Sequence, residues 1–297
     1  MDKRTALSSP RILELKKRKR RVLRNRAIFF LILFLIVFIG LIFLSRWDKI
    51  NLNKIEIEGN KIVEDKMILK VVEDQLSGHY LWFFPKSNVL LYPKNAIRYE
   101  LTNKFKRLKN VSLEVKDLKT LNIAVSELEG KYTWCGEDVV RNTTTPDDFL
   151  NLLEDQCYFL DGNGYIFDIA PYFSGSVYFK FFGKIQNIED GPIGHYLSPE
   201  HFENLTFFRD AVLKIGLKPY AFNIKEDGDI ELYLQSSFTP PNAPKIVFKS
   251  TSDIVKVVEN LQSAVSIEPL KTNLKEKYTN LNYIDLRFGN KIYYKFK

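Results

Sequence analysis

Three histidines, two cysteines and a few clustered carboxylates are the residues of this 297-residue chain that could do chemistry. His79, His195 and His201 stand far apart, and none falls in an HExxH-like arrangement that would set two imidazoles on one helix face for a metal. His201 falls in the first turn of an amphipathic segment, where a surface imidazole is expected. Gly191-Pro192-Ile193-Gly194 is too short and too stiffened by proline to cradle a phosphate, and no G-x-S-x-G, P-loop or G-x-G-x-x-G occurs. Asp147-Asp148 sit in a hydrophilic stretch, without the apolar pocket that raises one carboxyl of an acid–base pair. Asp161-x-Asn163-x-Tyr165-x-x-Asp168 faintly suggests a calcium loop. Tyr165 replaces an oxygen ligand, however, and no bidentate Glu closes the loop. Asp161-Gly162-Asn163-Gly164 reads instead as a hairpin turn, where Gly and Asn tolerate φ > 0. A signal-anchored Ser–Lys peptidase would need a Ser in a Ser-Met-x-Pro-like strand just past a membrane span. Ser45 and Ser77 lack that context. The expectation is no enzyme, no cofactor and no metal.

The only two cysteines, Cys135 and Cys157, flank a polar insertion, Gly136 to Gln156. With no His pair nearby they cannot build a tetrahedral zinc site. If they sit on neighbouring antiparallel strands, a disulfide would pin the base of the insertion. Such a bond persists outside the cytoplasm. The alternative is two buried free thiols behaving as small hydrophobes.

Where these groups lie depends on Ala27 to Leu44, AIFFLILFLIVFIGLIFL, 18 residues without a charge, Pro, Asn or Gln. At 1.5 Å per residue it makes about 27 Å of helix, near the thickness of a bilayer's hydrocarbon core. It is apolar all round, as a spanning helix must be and a core helix need not be. Residues 1–26 carry eleven Lys and Arg against Asp2 and Glu14, a net +9, while the whole chain is +8. The remainder is therefore −1, and the basic character belongs to the tail alone. A Lys/Arg excess beside a first span holds that side in the cytoplasm. A nucleic-acid patch is the weaker reading of the tail. The charged region is long, the apolar run exceeds a signal peptide's, and Leu44-Ser45-Arg46-Trp47 offers no cleavage site, so an uncleaved single-pass anchor is expected. Trp47 falls where an interfacial aromatic belongs.

Past the span, Ile50 to Asn53 reads as a short polar linker. Lys54 to Glu58 alternates as a strand and ends at Gly59-Asn60. From Glu64, the residues Ile68, Val71, Val72 and Leu76 share a helix face, stopped at Ser77-Gly78. An aromatic loop, Tyr80 to Pro85, leads to a second helix near Pro93 with Ile97, Leu101 and Phe105 in phase. Val111 to Val115 and Leu121 to Val125 are strands joined across Asp117-Leu118-Lys119.

This β-α-α-β-β order resembles a POTRA domain, and the chain is similar to the bacterial cell-division FtsQ/DivIB family. The likeness rests on Ile55-Glu56-Ile57-Glu58-Gly59-Asn60, Gly78-His79-Tyr80-Leu81-Trp82, the Lys94–Phe105 helix and Ala124-Val125-Ser126-Glu127, in that order after a basic tail and one span. It also rests on Tyr283-Ile284-Asp285-Leu286-Arg287-Phe288, similar to the family's near-terminal "IDLR". At Gly183 the chain keeps only the glycine of the family's "P-x-x-x-G".

The second region should hold strands at Lys131–Cys135, Cys157–Leu160, Tyr165–Ile169 and Val177–Phe182. A helix should run from the cap Ser198-Pro199-Glu200 to Ile215. Phe222–Lys225 and Ile230–Leu234 should form a hairpin, followed by a strand at Lys245–Phe248 and a helix capped by Ser252. After Gly289-Asn290 comes a last strand, Lys291 to Phe296. With no successor it should lie at a sheet edge, partly blunted by Lys291 and Lys295.

The expected fold class is α+β, with domains at 1–26 (basic tail), 27–45 (span), 53–127 (POTRA) and 128–297 (mixed, mainly antiparallel β domain with insertion 136–156). The resemblance implies a scaffold of the divisome at the septum of the inner membrane. Its terminal edge would bind an FtsB/FtsL-like partner by strand addition through Tyr283, Asp285, Arg287, Lys291, Ile292, Tyr293, Tyr294 and Phe296. The POTRA domain would meet other divisome membrane proteins. The alternative is a POTRA-bearing secretion or assembly subunit; inert pairing of Asp285 with Arg287 is the plain alternative for the edge.

Overall fold

A computed structural model describes residues 10–139, 156–171, 173, 177–185, 191–238, 240 and 242–297, with side chains from residue 18 onward. Its residues are mixed α and β, arranged in two compact units, Met1–Ser126 and Glu127–Lys297.

The first unit begins with α1, Pro10–Ser45, one helix long and apolar enough to cross a membrane, with none of its most apolar window buried in the protein. The helix already runs through the basic stretch, which composition alone had marked only as a charged tail. Lys, Arg and Leu favour helix, Pro10 suits the first turn, and a helix nucleated by the apolar run extends backward at little cost.

The segment after α1 is not the linker expected from its polarity. Asp48–Ile50 is a 3-10 turn, and Leu52 is buried in the core. Asn51 Nδ2 donates to the Ser45 and Trp47 carbonyls at 3.1 and 2.8 Å, and Asn88 Nδ2 donates to Ser45 O at 3.0 Å. The last carbonyls of a helix lack intrahelical partners, and these two amides supply them.

The strands β1 (Lys54–Glu58), β4 (Leu108–Lys116) and β5 (Thr120–Glu127) form a sheet ordered β1-β5-β4. β1 runs parallel to β5, with Ile55 opposite Leu121 and Ile57 opposite Ile123. A parallel pair needs a long crossover. Here α2 (Asp65–Leu76) and α3 (Lys94–Lys104) lie in it, burying Ile68, Val71 and Val72 from one and Ile97 and Leu101 from the other. Gly59 is obligatory at φ +90°, because a Cβ there would run into the Val125 carbonyl oxygen. The stretch expected as an aromatic loop is a small hairpin, β2 (His79–Tyr80) with β3 (Phe84–Pro85).

The second unit is one nine-stranded sheet, ordered β14-β13-β12-β11-β10-β9-β6-β7-β8. Its strands are β6 (Tyr132–Trp134), β7 (Tyr158–Leu160), β8 (Ile166–Ile169), β9 (Phe179–Gly183), β10 (Pro219–Ile224), β11 (Asp229–Leu234), β12 (Lys245–Lys249), β13 (Leu281–Phe288) and β14 (Lys291–Phe296). Five neighbouring pairs are antiparallel and three are parallel. The helices are α4 (Phe202–Lys214), α5 (Ile254–Ser266) and the short α6 (Leu270–Glu276).

Alternate strand residues Phe181, Phe222, Leu232, Phe248 and Ile284 join Phe202, Leu205 and Phe208 of α4 and Val258 and Leu261 of α5 in one core. Phe208 meets Phe248 at 4.5 Å between ring centroids, and Phe181 meets Phe202 at 4.9 Å. Each such side chain contributes about 2 kcal/mol by leaving water.

Two helix starts differ from expectation. α4 begins at Phe202, not at the Ser198 cap. Ser198 sits at φ +46°, outside the extended region a cap requires, and its carbonyl accepts from His201 N and Phe202 N at 2.9 Å each. The proline thus stiffens a turn ahead of the helix. α5 is capped by Asp253 rather than Ser252. The Asp253 Oδ1 accepts from Val255 N at 3.1 Å and Lys256 N at 3.4 Å.

Candidate partner-binding edge

β14 closes one end of the nine-stranded sheet. Its inner flank pairs with β13, placing Ile284 opposite Tyr294 and Asp285 opposite Tyr293. Along its outer flank no strand pairs among the described residues, so alternate N–H and C=O groups of the strand face outward.

The pleat sorts its side chains. Ile292, Tyr294 and Phe296 are half-buried against the core, while Lys291, Tyr293 and Lys295 are exposed on the other face. Tyr293, 50% exposed, stands edge-on to Phe288, 56% exposed, at 5.2 Å between centroids. The β13–β14 ladder is irregular between Leu281 and Tyr283 and again between Asp285 and Phe288. Such bulges sharpen local twist. Asn260 Nδ2 on α5 donates to Gly289 O at 3.1 Å, tying the β13–β14 turn to the helix layer.

Asp285 and Arg287 are placed differently from the β14 residues. Asp285 is buried and takes the Arg287 guanidinium in a fork, Nε–Oδ1 2.9 Å and Nη2–Oδ2 2.6 Å. Arg287 Nη1 reaches Asp229 Oδ2 at 2.6 Å. The Lys249 ammonium lies against the other Asp229 oxygen as an ion pair, out of line for a hydrogen bond. Burial would push both carboxyls up, but the hydrogen bonds from Arg287, joined at Asp229 by the Lys249 charge, outweigh it and hold both below the ordinary aspartate range.

A third buried carboxylate, Glu231, accepts from Tyr233 Oη at 2.8 Å and Lys245 Nζ at 2.7 Å. Burial pushes it up as well; the bonds from Lys245 and Tyr233 more than offset this and lower its pKa. Burial and the Glu231 carboxylate together push the Tyr233 hydroxyl far up.

This network crosses β11, β12 and β13 on the sheet face opposite the helices and fixes β13, on which β14 rests. It brings Asp285 and Arg287 together behind β14, whereas Lys291 and Tyr293 stand exposed on the strand itself. Tyr283 is half-buried one register step away, opposite Lys295. Asp229, Glu231 and Lys249 were missed as members. For the two carboxylates the signal was the alternation Asp-Ile-Glu-Leu-Tyr-Leu, in which the polar positions fall on one face.

The opposite end of the sheet is built in another way. The start of the outer flank of β8, at Ile166, and the turn before it are covered by the chain's own segment 194–197. Ile166 N donates to His195 O at 2.9 Å, Gly194 N to Ile166 O at 2.7 Å and Leu197 N to Gly164 O at 2.9 Å. Tyr165 bridges Tyr196, their rings 4.9 Å apart. Gly164, at φ +82°, lets this segment close, since a Cβ would lie 2.7 Å from the Phe202 ring.

Among the described residues, no group of His, Cys, Asp and Glu comes together to hold a metal. His195 and His201 border one cleft with Ser198 and Glu200, and among the described residues no hydrogen bond joins either histidine side chain to a hydroxyl or carboxylate there. Asp161 Oδ1 accepts from Asn163 N and Tyr165 N at 2.8 and 2.9 Å, which makes the Asp161–Gly164 run a turn between β7 and β8. Cys135 and Cys157 follow in register from the opposed pair Trp134 and Tyr158 and are joined as a disulfide. Of the insertion 136–156, residues 140–155, including Asp147-Asp148, lie outside the described residues. The chain matches no protein-family model and no curated protein.

Proposed function

We propose that this protein is a single-pass inner-membrane scaffold of the bacterial division machinery, similar to the FtsQ/DivIB family. Its basic N-terminus lies in the cytoplasm and the rest of the chain lies beyond the membrane at the septum. Residues 53–127 act as a POTRA module toward other membrane proteins of the divisome. The β14 flank receives a strand from an FtsB/FtsL-like partner, main-chain bonds giving affinity and the Tyr293–Phe288 surface giving choice.

The observation that carries this reading is the contrast between the sheet's two ends. The start of β8 is covered by the chain itself, while β14 carries an outer flank unpaired among the described residues, beside exposed aromatic rings. Soluble sheets normally blunt or cover their edges. Lys291, Lys295 and the nearby Lys297 give the open edge a positive rim, which favours an acidic partner segment and speeds its approach. A disulfide between β6 and β7 fits an oxidising compartment.

The test combines a fluorescent fusion with a photoreactive residue at Tyr293 in dividing cells. A mid-cell ring and a crosslink to a small division protein are expected. In an edge strand successive N–H groups alternate between the two flanks, so one of Ile292→Pro and Tyr293→Pro removes an outward donor. That variant should lose the crosslink with the domain still folded. Uniform envelope staining with the crosslink directed to secretion or assembly proteins would replace the division role. Full capture by both proline variants would overturn strand addition.

A further inference from the structure

The β2–β3 hairpin lies against the apolar helix of its own unit. The Phe83 and Phe84 rings stand edge-on to Phe38 at 6.1 and 5.9 Å between centroids. Phe38 lies six residues before Leu44, the end of the apolar run, and so about 9 Å back along the helix axis. Beyond those two rings the hairpin turns at Leu81 and Trp82, which are 76% and 89% exposed. Both adopt left-handed backbone, φ 48° and 69°. In water such a turn calls for Gly, Asn or Asp. Here the strained positions carry two large apolar side chains with almost nothing of the protein around them.

The polar groups of the hairpin are satisfied in a way that suits a boundary. Phe83 N donates to Tyr80 O at 3.1 Å, and Arg46 Nε donates to Phe83 O at 3.2 Å. Lys86 Nζ lies over the Tyr80 ring at 5.9 Å, and Lys49 Nζ over Trp47 at 5.3 Å. Lysines paired with aromatic rings suit a headgroup–acyl boundary, where Trp and Tyr concentrate. The hairpin cannot swing freely, because Asn51 and Asn88 lock the end of α1 to the loop that follows β3.

We infer that the Tyr80–Phe84 hairpin is a second membrane-binding element, with Leu81 and Trp82 seated among lipid headgroups and upper acyl chains on the far side of the bilayer. The surface it takes is the lipid interface. Its effect is to fix the first unit at a set height and rotation on the membrane, where a lone helix would let it pivot. This inference rests on the reading that α1 spans.

Depth-dependent tryptophan quenching tests it in the full chain, reconstituted in phosphatidylcholine–phosphatidylglycerol vesicles with lipids brominated near the glycerol end of the acyl chains. The chain has three tryptophans, and Trp134 is common to every variant compared. The difference between Trp47→Phe and Trp47→Phe/Trp82→Phe isolates the emission of Trp82. Brominated lipid is expected to remove most of that emission and aqueous acrylamide little of it. The difference between Trp82→Phe and the same double variant isolates Trp47, beside the end of α1, and reports on the span. Quenching of Trp47 with Trp82 untouched and open to acrylamide would overturn the hairpin inference and leave the span standing. Loss of lipid quenching at both would overturn the span reading, and the inference with it.

Discussion

The two ends of the nine-stranded sheet solve the same problem in opposite ways. At β8 main-chain hydrogen bonds with segment 194–197 cover Ile166 at the start of the outer flank and Gly164 just before it, and Gly164 makes room for the closure. At β14 the outer flank is unpaired among the described residues, and its protection is limited to two lysines and irregular pairing with β13. Covering the start of β8 takes only the short segment 194–197, and nothing among the described residues does the same for β14. The difference teaches that exposure at β14 is a built property, held in place by the Arg287 network behind it.

Removing the cover at β8 should have the largest effect. Gly164→Val forces a side chain into Phe202 at a positive φ, which should cost about 4 kcal/mol and raise aggregation, read by urea denaturation and light scattering. If the variant were as stable and monodisperse as the parent, the covered edge would matter less than argued. Next, replacing both cysteines by serine frees β6 and β7, the two strands next to β8 in the sheet. In the chain-entropy model this should cost about 3 kcal/mol with β14 binding unchanged.

On the open side, Arg287→Ala leaves Asp285 and Asp229 without their shared guanidinium. The cost should be about 2 kcal/mol, below that of a deeply buried pair because Arg287 is partly exposed. Partner capture at Tyr293 should weaken with it, since β14 would lose its rigid neighbour.

The pH dependence is gentler. Asp229, Glu231 and Asp285 have folded-state pKa values below their unfolded ones. Their contribution is therefore complete above the ordinary carboxylate range and is lost as pH falls through the lowered folded values. Stability should change little on their account between about pH 7 and pH 5 and fall below about pH 4. In Arg287→Ala the acid slope from the two aspartates should flatten, while that from Glu231, held by Lys245 and Tyr233, should remain. The smallest expected effect is Lys295→Gln, which should slow capture of an acidic partner at low salt and leave stability within about 0.5 kcal/mol.

The two units also differ in how openly their sequences state their structure. In the first, apolar spacing is local and regular, so Ile68, Val71, Val72, Ile97 and Leu101 are legible as core before any coordinates. In the second, the strands were legible one by one, but the helix starts were not. Ser198-Pro199-Glu200 has every feature of a cap except the backbone, which a turn pinned to Gly164 holds at positive φ. Asp253 outcompeted Ser252 because its carboxylate reaches two N–H groups at once.

By itself the sequence determined the apolar helix of α1, the β-α-α-β-β order beyond it, the turns at Gly59 and Asp161–Gly164, and a strand at Lys291–Phe296. These follow from periodicity and backbone preference within a few residues. Tertiary structure alone decided that β9 lies between β6 and β10, that the start of β8 is covered while β14 is unpaired on its outer flank among the described residues, and that Asp285 and Arg287 face inward to Asp229. It also decided that the hairpin at Tyr80 turns toward α1. Each of these depends on pairing between groups far apart in the chain, where many partners satisfy the local pattern and only packing selects among them.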